Sequence, residues 1–87
     1  MRPDVRALLG DRIRERRAEL DFTQEGFAHY TGLARTYYGR IKWGQQNVTL
    51  ERLVWLAAHL ETSVADLTRD LNADVRLAFV EAGHEVD

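Results

Sequence analysis

The chain has 87 residues, 45% hydrophobic and 30% charged, with a net charge of −2. That describes one domain with one modest core, neither disordered nor large enough for two. It contains no cysteine, which excludes a disulfide framework and a thiolate metal site and fits a reducing cytoplasm. No apolar run approaches the ~18 residues of a membrane span, and the charged start MRPDVRALLGDR lacks a signal-peptide core; the expected location is cytoplasmic, with no membrane partner.

Sustained two-residue alternation is absent, and the apolar spacing is helical throughout. A first helix is expected from about Asp4 to Leu20, with Val5, Leu9, Ile13 and Leu20 on one side. Arg16 interrupts that stripe where a leucine would extend it. Asp21 suits the following turn because Asp tolerates left-handed geometry. Thr23 reads as the N-cap of a second helix with Phe27 and Ala28 inward, and Gly32 as its left-handed end. A third helix is expected from about Arg35 to Trp43, behind a poor cap at Ala34 and stopped by Gly44. Thr49 caps a fourth, whose buried stripe is Leu50, Leu53, Leu56, Ala57 and Leu60. Ser63 caps a short fifth, with Val64 and Leu67 inward. Asn72 can cap a last one over 73–82, with Val75, Ala78, Phe79 and Ala82 on one face. The fold class is therefore all-α: a compact bundle of five to six short helices in a single domain, 1–87.

The second and third helices are joined by a short turn containing glycine, which is helix-turn-helix geometry. At ~100° per residue, Arg35, Thr36, Gly39 and Arg40 fall within about 140° of one another. Tyr38 and Ile41 lie opposite them with Ala34, facing the first two helices, and Tyr37 sits at the border. Arginine offers a planar fork to guanine, and threonine a hydroxyl and a methyl to the base edges. A glycine between them lets the helix approach closely. The alternative is an ordinary solvated helix surface, on which arginine is common.

Charge is unevenly spread. Residues 1–47 hold nine Lys/Arg against six Asp/Glu, and residues 48–87 hold three against eight. The basic half suits a polyanion, and the acidic half suits another face or partner; solvated helix faces would give the same split.

From Leu9 to Thr68 the sequence resembles the Cro/phage-repressor (XRE-type) helix-turn-helix family. The resemblance rests on LGDRIRERR (9–17), FTQEGFA (22–28), TGLARTYYGRI (31–41), the Gly44–Asn47 loop, TLERLVWLAAHL (49–60) and SVADL (63–67). RTYYGRI followed by QNVTLERL is also similar to the small controller proteins of restriction–modification systems. The resemblance implies a lambda-repressor-like fold and a transcriptional regulator of bacterial or phage type whose partner is double-stranded DNA. Arg35, Thr36 and Arg40 match base-reading positions. Gln24, Tyr37, Gln46 and Asn47 match positions that touch the DNA backbone. One departure is notable. Where many members pair an acid with the arginine corresponding to Arg17, this chain has Lys42, and Glu15, Glu19 or solvent is expected to intervene between the two cations. Trp43 and Arg16 are further departures, at a usually polar and a usually leucine position.

Catalysis has little support. The single serine is accounted for as a cap, and His29, His59 and His84 lie on separate segments without ligand spacing. No enzyme activity, cofactor or metal is expected. On the fourth helix Trp55 points away from the apolar stripe; either the C-terminal helix covers it through Val75 and Phe79, or Trp55 and Phe79 belong to a dimer or partner interface. A dimer would space two reading helices by about 34 Å and require a near-palindromic operator. Two other readings remain open: a DNA-binding antitoxin whose C-terminal half grips a toxin, and a helix-turn-helix module used as a protein-interaction adaptor.

Overall fold

The computed structural model describes residues 4–73. They form α1 (Val5–Glu19), α2 (Gln24–Thr31), α3 (Arg35–Lys42), α4 (Leu50–His59) and α5 (Val64–Thr68), with no strand among the described residues. The expected last helix over 73–82 and its Phe79 lie outside them.

Helix starts follow the cap residues. Asp4, Thr23, Thr49 and Ser63 each accept a hydrogen bond from a backbone N–H of the first turn they precede, satisfying donors that the helix itself leaves unpaired. Ala34 makes no such bond and is itself exposed, so α3 begins without side-chain support. Turns are closed by left-handed residues: Asp21 (φ 62°) after α1, Gly32 (φ 77°) after α2, Gly44 (φ 71°) after α3 and Glu61 (φ 51°) after α4.

The core draws on all five helices. Leu9 and Ile13 of α1, Phe27 of α2, Tyr38 and Ile41 of α3, Leu56 and Ala57 of α4, Leu60 at its end and Leu67 of α5 form one buried cluster. Phe27 packs its ring 5.4 Å from that of Tyr38, fixing the roll of α3 against α2. Val64, Leu20 and Leu53 are half-buried at the margin. Leu50 departs from expectation: it is 72% exposed. The inward row of α4 starts at Leu53, and a turn earlier the helix has run past the core.

α1 and α3 approach unusually closely. A Cβ on Gly10 would lie 2.6 Å from the Lys42 carbonyl oxygen and 2.7 Å from that of Ile41, and one on Gly44 would lie 2.7 Å from the Ala7 Cα. These two glycines let the backbone of α1 rest against the C-terminal end of α3. α3 is therefore held on one side by main chain.

Arg16 has a purpose that its place in the apolar stripe conceals. Its Nε donates to the Leu60 carbonyl (2.8 Å) and its Nη2 to the Glu61 carbonyl (3.0 Å). It thus caps the C-terminus of α4 with a positive charge, where the helix leaves carbonyls unpaired and the dipole is negative. Arg12 does the same for α5, donating to the Leu67 carbonyl at 3.3 Å. Arg16→Met keeps the aliphatic stem and removes both bonds. It is expected to cost about 1–3 kcal/mol, read as a lower urea midpoint with an unchanged slope; equal stability would show that the clamp contributes nothing.

Candidate nucleic-acid interface

α3 has two faces because its sequence has two. Tyr38 and Ile41 are buried, while Arg35, Thr36 and Arg40 are exposed. Burial raises the Tyr38 hydroxyl above its ordinary pKa, an effect that the charge and hydrogen bond of Arg17 and the charge of Arg14 only partly offset. Gly39 sits between the exposed residues, and nothing lies within 4 Å of where its Cβ would be. The surface beside Arg35, Thr36 and Arg40 is open.

At the start of α2, Gln24 is exposed next to the Thr23 cap. It shares a narrow cleft of about 60 Å³ between α2 and α3 with Glu25, Arg35, Gly39 and Lys42. The helix N-terminus and the amide side chain together suit an anion there. Thus Gln24 and Arg35 are brought to one groove, with Thr36 and Arg40 further round the same helix.

Arg35 is not idle in the free protein. Its Nη2 lies 2.5 Å from the Glu25 Oε1, with both side chains largely exposed. Sequence reasoning missed Glu25, and nothing in the pattern singled it out, because the pair spans two helices. A surface pair of this kind stabilises by only ~0.2–1 kcal/mol, so it orients the guanidinium without committing it.

On the other side of α3, Tyr37 is half-buried and Arg52 lies over its ring at 5.7 Å. Gln46 and Asn47 follow in the loop before α4; Gln46 is half-buried with its amide nitrogen 3.4 Å from the Asn47 carbonyl, and Asn47 is exposed. These expected backbone contacts flank the N-terminus of α4.

For Trp55 both expected readings stay open, since Val75 and Phe79 lie outside the described residues. Trp55 is half-buried and packed against the core margin, with the Arg52 guanidinium 4.8 Å and the His59 ring 4.1 Å from its own ring. The large apolar residues of α4 left exposed are Leu50 and Val54, at 72% and 52%. Of the groups expected between Arg17 and Lys42, the two glutamates, Glu15 and Glu19, form no ion pair with either cation among the described residues. The Arg17 Nη1 hydrogen-bonds the Tyr38 hydroxyl at 3.3 Å, Glu19 pairs with Arg16, and Lys42 sits 5.2 Å from the centre of the Trp43 ring.

No group of His and acidic residues suited to a metal ion occurs among the described residues, and none of their helices is long and apolar enough to cross a membrane. Comparison with known proteins agrees with the geometry. Residues 13–67 match the family described as helix-turn-helix. The chain is 39% identical over 64 residues to the control protein C.SmaI of Serratia marcescens, covering 74% of this chain and 76% of that one. It is 33% identical over 72 residues to the control protein C.MunI of a Mycoplasma species, covering 82% and 97%. The structure is similar to the restriction-modification controller protein C.AhdI from Aeromonas hydrophila, with a TM-score of 0.64 and 36% identity over 70% of this chain and 92% of that one. It is also similar to the clp gene regulator ClgR from C. glutamicum, with a TM-score of 0.76 and 25% identity over 86% and 96%. The buried–exposed division of α3, the glycine turn before it and these similarities lead to one conclusion: the chain belongs to the XRE-type helix-turn-helix family and is a DNA-binding transcriptional regulator.

Proposed function

We propose that the protein is a homodimeric regulator of the restriction–modification controller kind, reading a near-palindromic operator with α3 and acting on its own promoter. The observation that carries this reading is the exposed row Arg35, Thr36 and Arg40 on a helix anchored from behind by Tyr38 and Ile41. Arg35 and Arg40 offer bidentate donors to guanine, and Thr36 a hydroxyl and methyl. Gln24, Tyr37, Gln46 and Asn47 set the register through phosphates, which carry no sequence information themselves. The protein works by binding rather than catalysis, and the cytoplasm is where its DNA is found. Similarity to control proteins favours this reading over the antitoxin and the adaptor.

Dimerisation is assigned to Leu50 and Val54, two large apolar side chains exposed one turn apart on α4, which suit a helix-face contact. An isologous contact there repeats the same patch on both protomers. Val54→Glu is expected to give a monomer of unchanged helix content by analytical ultracentrifugation. A dimer that persists with both Leu50→Glu and Val54→Glu places the interface elsewhere.

The deciding test is titration of the protein into labelled DNA from upstream of its own gene, against a scrambled duplex, at about 150 mM salt where non-specific binding is weak. The expected result is tight preference for the native fragment with two protomers bound per half-site pair. Equal weak binding to both duplexes would remove the autoregulatory assignment.

A further inference from the structure

Lys42 is the last residue of α3, and among the described residues it forms no ion pair. The seam between α1 and α3 collects three positive side chains. Arg17 reaches the Tyr38 hydroxyl at 3.3 Å. The Arg14 guanidinium lies 5.1 Å, and the Lys42 ammonium 5.2 Å, from the centre of one indole ring, that of Trp43. Among the described residues, the ion pairs at this seam amount to one, between Arg14 and Asp11; Arg17 and Lys42 form none, and the Arg17 Nε is buried without a hydrogen-bond partner. Like charges near one another repel, and an arriving anion relieves that repulsion.

Trp43 sharpens the point. It is 61% exposed, so it is not there to fill the core. What it does is hold two cations beside its ring, an arrangement stabilised by the ring quadrupole. The exposed indole thus keeps a lysine and an arginine close to its ring at the end of α3. The place of Lys42 matters as well: it lines the same cleft as Gln24 and Arg35, so its charge continues that face to the last residue of α3.

We infer that Lys42, positioned with Arg14 by Trp43, binds a phosphate of the DNA backbone beyond the C-terminal end of the reading helix, as an anchor additional to Gln24, Tyr37, Gln46 and Asn47. The inference rests on the proposed mode of DNA binding. The phosphate contributes charge neutralisation and counterion release, and no base is read there.

Lys42→Gln removes the charge; Lys42→Glu reverses it. Both are compared with the unaltered protein on two probes: an operator duplex selected from a randomised library, and a duplex of random sequence, each over a range of salt concentrations. Thermal unfolding is followed alongside. For Lys42→Gln the expected result is a several-fold loss of affinity, equal on both probes, with the salt slope reduced by about one per protomer. Lys42→Glu is expected to bind more weakly still, on both probes, while remaining folded at the binding temperature. Unchanged affinity and slope in the Gln variant would overturn the inference, and so would a loss confined to the operator, which would mark base reading. If Lys42→Glu fails to fold, Lys42→Gln decides. If the unaltered protein binds neither duplex, the proposed function falls and this inference with it; if it binds and the Lys42 variants match it, this inference alone falls.

Discussion

Gly10→Ala is expected to destabilise the protein by about 2 kcal/mol, although alanine is the better helix former. In an isolated helix the change would gain up to ~1 kcal/mol. Here the new methyl meets main chain, the carbonyl oxygens of Lys42 and Ile41 at 2.6 and 2.7 Å, and no flexible side chain can yield. α1 must move off the end of α3, which disturbs Leu9 and Ile13 on one side and Ile41 on the other, all in the buried cluster. Overpacking of this sort costs ~1–3 kcal/mol, occasionally more. For a domain of this size a net 2 kcal/mol lowers the melting temperature by roughly 8–16 °C. Circular dichroism on heating checks it. A variant as stable as the parent would show that α1 and α3 can separate freely, and that the support attributed to this contact is absent.

The second large effect is on DNA. Arg35→Ala or Arg40→Ala is expected to cost ~1–3 kcal/mol per half-site and to relax sequence preference at the base each one reads. Both sites of a dimer double the loss. For Arg35 the competition with Glu25 has to be weighed. The surface pair in the free protein stabilises by ~0.2–1 kcal/mol, less than a good bidentate contact with a base, so DNA takes the guanidinium from the carboxylate. Gln24→Ala, by contrast, is expected to weaken operator and random sequence alike. Gly39→Ala separates the two demands on α3. Nothing surrounds the position in the protein, so the fold is expected to tolerate or gain from the methyl, while operator affinity falls because the groove must accommodate it. Retained operator affinity in the double variant of Arg35 and Arg40 would show that another face reads the DNA.

The two glycines make a wider point about legibility. Gly10 and Gly39 both lie inside helices, and both are unfavourable there by propensity. One is required by the neighbouring main chain and the other leaves an open surface. Local sequence cannot distinguish these, because the distinction lies in what approaches from another element.

Arg16, Lys42 and Leu50 show the same limit. On a helical wheel Arg16 is a defect in an apolar stripe; in the fold its fork reaches two carbonyls more than forty positions away. Lys42 looks like a clash with Arg17 until Tyr38 and Trp43 are seen to take up the two charges. Leu50 fits the periodicity of α4 and is nevertheless exposed, because periodicity says which side of a helix faces inward and not how far along it the core extends.

What this sequence determined by itself was local. Caps at Thr23, Thr49 and Ser63, the left-handed turns at Asp21, Gly32 and Gly44, and the two-faced pattern of α3 depend on residues within a few positions of one another. They sufficed for the element order, the helix-turn-helix and the row of Arg35, Thr36 and Arg40. Tertiary structure alone decided which charges meet. The Glu25–Arg35 pair, the Arg16 clamp, the cation seat at Trp43 and the glycine contact between α1 and α3 join residues from different elements. Their energies depend on separations of a few ångströms, which only the packed core sets.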